Sequence, residues 1–143
     1  MTRTGADSTN AEYLPTGMDI YLGYVDGNYR SYDAIKARFP HALVVPIATQ
    51  ESGNVGTVGD GPGDNGNWPG WIGWVQRRRA AGVDPTIYTN ASLWTAGVNA
   101  FNAAKVAQPH WWIAKWDEHP EVLAGSIGKQ YKSVPNRYDL SLF

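Results

Sequence analysis

Short apolar runs alternate with amphipathic stretches along most of the chain, and turn residues separate them. Ile20-Tyr21-Leu22-Gly23-Tyr24-Val25 is apolar and β-prone and stops at Asp26-Gly27, which predicts a strand. Tyr32, Ile35 and Phe39 fall at i, i+3 and i+7, behind the N-cap residue Ser31 and ahead of Pro40, so Tyr32 to Phe39 reads as a short helix. Ala42 to Ala48 is almost wholly apolar and predicts a strand buried on both faces, with Pro46 removing one ladder hydrogen bond. Seven of the 16 glycines lie between Ser52 and Gly70, and there only Val55 to Val58 suggests a weak strand. Asn67 and Pro69 then open a helix through Trp71, Trp74 and Val75 to Ala81, with Gly82 as its stop. Its arginines, Arg77 to Arg79, read as a solvated helix end favoured by the macrodipole. Thr86 to Thr89 predicts a strand, Asn90 caps a helix from Ala91 to about Val106, and His110 to Trp116 alternates as a strand. Ser126 to Tyr131 and Tyr138 to Phe143 are further strands with no room for a helix between them.

Alternating strands and helices predict a mostly parallel α/β sheet. A full eight-helix barrel needs about 250 residues, so 143 residues make a reduced one. Residues 1–17 are polar, lack the apolar core of a signal peptide and end in a turn signal, so 1–19 is expected as a lead-in and 20–143 as the barrel domain. No apolar run approaches the ~18–20 residues of a membrane span, so no membrane partner is expected. The 12 Lys and Arg against 13 Asp and Glu lack the charge footprint of a nucleic-acid binder. The absence of cysteine excludes disulfides and thiolate chemistry. The 7 Trp, 8 Tyr and 3 Phe exceed what the core of such a domain requires and point to an aromatic binding surface.

In parallel α/β folds the carboxyl ends of strands carry the chemistry. Here those ends present Asp26, then Gln50 and Glu51, Asp60, Asn90, Asp117 and Glu118, with Asp139 in the last strand. Carboxylates at one rim beside Tyr88, Trp112, Trp116 and Tyr131 suit glycosidic chemistry, which needs two acids and flat faces for sugar rings. The same residues also serve as ordinary turn caps, and spacing leaves both readings open. No cofactor or metal is expected. His41, His110 and His119 lack ligand spacing, and Asp60, Asp64 and Asn65 lack the acid ladder of a calcium loop. No nucleophile elbow or phosphate loop is present.

GYVDG (Gly23 to Gly27), RRRAAGVDPTIYTN (Arg77 to Asn90), WWIAKWD (Trp111 to Asp117), KQY (Lys129 to Tyr131) and YDLSLF (Tyr138 to Phe143) together resemble the short glycoside-hydrolase-like domains of actinobacteria and their phages. These domains are similar to family 25 lysozymes, the muramidases. The resemblance covers about residues 20–143 and implies an irregular TIM-like β/α barrel with helix-poor C-terminal strands. It implies action on bacterial cell-wall peptidoglycan, with a degenerate glycan-binding or phage-particle structural module as the alternative. Other phage-particle proteins are then a second class of partner, and the host cytoplasm or the virion the place of action. Asp26 matches the family's acid after the first strand, Asp139 the acid in the last, and Tyr88, Trp112 and Gln130 match cleft positions. Anchoring on Pro62-Gly63-Asp64 places Gly59 and Gly61 where the family carries an Asp-x-Glu, so the expected proton donor is replaced by Gly61. Asp60, by a one-residue shift, or Glu51 then completes the acid set with Asp26 and Asp139. Asn90, Trp116, Asp117 and Tyr131 complete the expected substrate-binding rim.

Overall fold

The computed structural model describes residues 2–62 and 66–143. Eight strands close into one barrel in chain order: β1 (Thr4–Asp7), β2 (Ile20–Tyr24), β3 (Leu43–Ala48), β4 (Val58–Asp60), β5 (Thr86–Asn90), β6 (His110–Ala114), β7 (Gly128–Val134) and β8 (Tyr138–Leu142). Neighbours from β1 to β7 are parallel, and β8 runs antiparallel to both β7 and β1. Three α-helices accompany the barrel: α1 (Tyr32–Arg38), α2 (Trp68–Ala80) and α3 (Ala91–Ala103). Among the described residues no helix is long and apolar enough to cross a membrane.

The segment 1–19, expected as a lead-in outside the barrel, supplies β1, the strand that closes it. Gly5 pairs with Ile20 on one side and Ser141 on the other, and Asp7 lies opposite Asp139. Four residues carrying a single apolar side chain, Ala6, are too few for a periodic signal. Their placement rests on fit, because a Cβ at Gly5 would stand 2.6 Å from the Phe143 ring.

Strand alternation divides the apolar residues among three clusters. Ile20, Leu22, Ile47, Val58 and Trp112 fill the barrel interior with Tyr88 and Phe143. Trp71, Trp74, Val75, Ile87, Phe101 and Trp111 pack beneath α2 and α3. Ala6, Leu14, Tyr21 and Ile35 form the third group, next to α1. The aromatic surplus is therefore mostly core: Trp68, Trp71, Trp74, Trp111 and Trp112 are buried, and Trp116 is the exposed tryptophan. Glycines make room for these rings. A Cβ at Gly59 would meet Trp71 at 2.6 Å, and one at Gly97 would meet Trp68 at 2.6 Å and Trp111 at 2.8 Å.

Two further expectations change. β3 is exposed at Leu43 and half-buried through Pro46, because β4 has three residues and pairs only with Ile47 and Ala48. The Pro46 carbonyl accepts from Thr57 N at 3.0 Å on that open side, so its missing N–H breaks no ladder bond. The arginines of α2 are not a free solvated end. Arg77 donates to the carbonyls of Gly53 and Glu51, Arg78 to those of Gly56 (2.7 Å) and Asn54 (3.0 Å), and Arg79 to those of Ala107 (2.9 Å) and Gln108 (3.0 Å). The triplet thus holds the β3–β4 and α3–β6 loops through carbonyls that no strand satisfies.

Candidate functional site

The parallel strands aim their carboxyl ends at one rim, and the antiparallel β8 begins there. Asp7 ends β1, Tyr24 ends β2, Asp60 ends β4, and Asp139 lies next to the start of β8. By alternation Asp60 shares the inward face with Val58, and Tyr24 shares it with Leu22 and Ile20. The rim opens into a cleft of two lobes with Thr9 and Tyr24 in common. One, about 410 Å³, is lined by Asp7, Asp139, Ser133 and Arg137 among others. The second, about 370 Å³, holds Asp60, Asp26, Tyr29 and Gln50.

Gln130 on β7 organises the floor. Its Oε1 accepts from Tyr88 Oη at 2.8 Å and from Trp116 Nε1 at 2.9 Å, so its Nε2 is left to donate to Asp7 Oδ2 at 2.9 Å. Two donors on one oxygen settle which way the amide points. Asp7 and Gln130 are both buried.

Burial makes three carboxyl groups of the cleft hold their protons more tightly than usual. Burial pushes Asp7 well up, the neighbouring Asp139 and Asp60 charges add to it, and the Gln130 hydrogen bond opposes it. Burial pushes Asp60 up to about 6 from an ordinary 3.8. Asp139 is raised by burial against an opposing Ser133 hydrogen bond. Tyr24 and Tyr88 are raised by burial and then by these same carboxylates, so both stay neutral hydrogen-bond donors. Among the described residues no three ligating side chains are grouped to hold a metal ion.

The expected site residues separate into those at this cluster and those elsewhere. Asp60, Asp139, Tyr88 and Gln130 are at it. Asp26 lines the second lobe, but Oδ1 accepts from Thr49 N at 2.6 Å and Thr49 Oγ1 at 3.0 Å, so its carboxylate holds the start of the β3–β4 loop. Since β1 precedes β2, the acid at the end of the first strand is Asp7, not Asp26. Glu51 accepts from Asn67 Nδ2 at 2.7 Å beside the start of α2 and does not line either lobe. Asn90 caps α3, accepting from Leu93 N at 3.0 Å. Trp112 is 2% exposed beneath Tyr88, with ring centroids 4.6 Å apart, and donates from Nε1 to Ser141 Oγ at 3.0 Å. It is floor, and offers no face on which a sugar could stack. Trp116, 61% exposed, does offer one. Asp117 pairs with the fully buried Lys129 at 2.7 Å, and that hydrogen bond, with a second from His119 N, holds its carboxyl down to about 2. Asp117 thereby fastens the β6–β7 loop. Tyr131 joins Trp116 in a separate shallow pocket of about 310 Å³. The calcium-loop candidates Asp64 and Asn65 lie outside the described residues.

Strand parity also bears on the glycine pair. Gly59 turns its missing Cβ outward to Trp71, and a Cβ at Gly61 would stand 2.5 Å from the Tyr88 carbonyl oxygen, which already accepts from Gly61 N at 2.8 Å. The inward side chain between them is Asp60. Gly61→Glu is therefore expected to destabilise the fold and to bring no gain in cell-wall hydrolysis. A variant that melts at the native temperature and hydrolyses faster would refute this, read by thermal melts beside reducing-end release.

No protein-family model, curated protein or solved structure matches the chain.

Proposed function

We propose that the chain is a glycoside-hydrolase-like domain, a reduced β/α barrel of the TIM type, that cleaves glycosidic bonds of bacterial cell-wall peptidoglycan. The observation that carries this reading is the convergence of Asp7, Asp60 and Asp139 on one cleft at the strand ends, with Tyr24 and Tyr88 beside them. Peptidoglycan as the glycan rests on the resemblance to family 25 lysozymes.

In this reading Asp60 is the proton donor. It keeps its proton to about pH 6 and passes it to the leaving glycosidic oxygen as the C1–O bond breaks. Asp139, the least buried of the three, carries the negative charge that faces the oxocarbenium-like centre. Asp7, tied by Gln130, fixes the position of the cluster. Water then adds its hydroxyl to C1 and returns a proton to Asp60, which closes the cycle. Trp116 and Tyr29, 61% and 70% exposed, offer the open aromatic faces.

One observation favours a binding module without turnover: among the described residues no glutamate lines either lobe, so the proton donor is an aspartate on a short side chain. Purified cell walls distinguish the two. Turbidity loss with release of reducing ends is expected from the native chain, falling by about 10²-fold or more in Asp139→Asn. Wall binding with no release of reducing ends would establish the binding module in place of the enzyme.

A further inference from the structure

The Gln130 amide can present either its nitrogen or its oxygen to Asp7, and the groups bonded to its other end decide which. The Tyr88 hydroxyl, 2.8 Å from Oε1, does not decide it, because a phenol that donates can turn its hydrogen away and accept from an NH2 group instead. The Trp116 indole can only donate. Its Nε1 lies 2.9 Å from the same oxygen, so reversing the amide would set an N–H against an NH2 group and would put Oε1 against Asp7 Oδ2, where the Nε2 bond spans 2.9 Å. The indole is also held in place independently of that bond. On one side of Trp116, Lys115 N donates to the Gln130 carbonyl at 3.0 Å; on the other, Glu118 N donates to the Tyr131 carbonyl at 2.9 Å, and the buried Lys129 Nζ donates to Asp117 Oδ1 at 2.7 Å and to the His119 carbonyl at 2.8 Å. The loop that carries the indole is thus fastened to β7, the strand that carries Gln130.

We infer that Trp116 is a positioning residue, whose indole N–H fixes the polarity of the Gln130 amide and so keeps an N–H donor on Asp7. The consequence is electrostatic. An N–H aimed at a carboxylate favours its charged form, whereas an amide oxygen in the same place favours a protonated acid that donates to it. The Gln130 bond accordingly opposes the burial and the Asp139 and Asp60 charges that raise Asp7. Of the other ionisable groups around Asp7, Tyr24 of β2 and Tyr88 of β5 stay neutral, Tyr138 of β8 lines the same lobe, and Arg137 seats its guanidinium over Tyr13, 5.6 Å from the ring centroid. Replacing Trp116 leaves each of them in place. A ring that is 61% exposed therefore acts on a buried acid through two hydrogen bonds in series. This coupling holds whether the cleft hydrolyses a glycan or only binds one.

Carboxyl carbon chemical shifts of the full, isotope-labelled chain, followed from about pH 3 to about pH 9, read the titration of Asp7 directly. Trp116→Phe keeps a ring in the loop and removes the donor, and the water that takes its place accepts as readily as it donates. The Asp7 midpoint is then expected to rise by about one pH unit over that of the native chain. The direction separates lost polarity from a lobe that has merely opened, since freer access of water to Asp7 would lower the midpoint. Tyr88→Phe leaves the indole on Oε1 and should raise the midpoint by less than about half as much. Trp116 is exposed and Tyr88→Phe removes one oxygen, so both variants keep the fold. An Asp7 midpoint that stays constant or falls in Trp116→Phe, or that rises as far in Tyr88→Phe, overturns the inference. Either of these results leaves the glycan-cleft reading to its own test by release of reducing ends.

Discussion

Asp60→Asn should abolish glycan hydrolysis and at the same time make the protein more stable at pH 8. Both outcomes come from the same burial. The folded-state carboxyl sits at about 6 against an ordinary 3.8, so between those values the folded chain keeps a proton that the unfolded chain has released. Stability from this group is then fully present below pH 4 and is lost as pH rises through about 6. Asparagine does not titrate and escapes that loss. A shift of two pH units corresponds to about 3 kcal/mol, an upper bound for the gain at pH 8, and the gain should vanish near pH 4. Activity moves the other way. In the proposed reaction, loss of the general acid lowers turnover by about 10²- to 10⁴-fold, and the native chain's rate should itself fall as pH rises through about 6. Melting curves at pH 4, 6 and 8, beside reducing-end release, read both effects. If the variant is no more stable than the native chain at pH 8, Asp60 is a solvated carboxylate and cannot be the proton donor.

The burial that raises the Asp60 carboxyl is maintained by the contacts around its strand. Asp60 closes a three-residue strand with little support of its own. β4 is held by pairs to β3 and β5, by the α2 arginines on the loop before it, and by the Gly61 amide donating to Tyr88 just after it. The glycines on either side of Asp60 serve that placement. One admits Trp71 against the strand, and the other admits the Tyr88 carbonyl.

Elements with a bounded apolar run were legible from residues alone. β2, α1, α2 and β5 begin and end within two residues of where their caps and turn pairs place them. β1 was not, because Thr4-Gly5-Ala6-Asp7 offers one apolar side chain and its closure depends on β8, more than a hundred residues later. Missing β1 moved the first-strand acid from Asp7 to Asp26 and left Asp7 out of the site. The available signal was an acid ending a short β-compatible run before Ser8, the same arrangement by which Asp60 ends β4. Trp112 and Asp117 show a different limit. The pattern put both near the rim, yet burial under Tyr88 and pairing with Lys129 are properties of direction and depth that one-dimensional spacing does not carry. The α3 stop is similar: the helix ends at Ala103 because Lys105 takes a left-handed φ of 56°, a turn that its side chain does not announce.

Trp74→Ala should destabilise the fold by about 3–5 kcal/mol, as truncation of a fully buried aromatic does. Trp74 is 0% exposed in the layer between α2 and the barrel, edge-on to Trp71 with ring centroids 5.4 Å apart and planes at 73°. Its Nε1 donates to the Val55 carbonyl at 3.1 Å, so the same ring also ties down the β3–β4 loop that Arg77 and Arg78 hold. Val55 is 41% exposed, and water can take over its carbonyl once the indole is gone, so most of the loss arises from the cavity. Trp74→Phe separates the two contributions, since it keeps an aromatic ring and removes the donor, and a smaller loss of about 1–2 kcal/mol is expected. A domain stable by about 5–15 kcal/mol surrenders a large share of that in the alanine variant, and the midpoint of urea unfolding should fall while the slope stays constant. The loop runs directly into β4, so the folded fraction of Trp74→Ala should also hydrolyse more slowly than Trp74→Phe at equal folded concentration. Unchanged unfolding midpoints in both variants would place Trp74 outside the core and remove the support that this packing gives to Asp60.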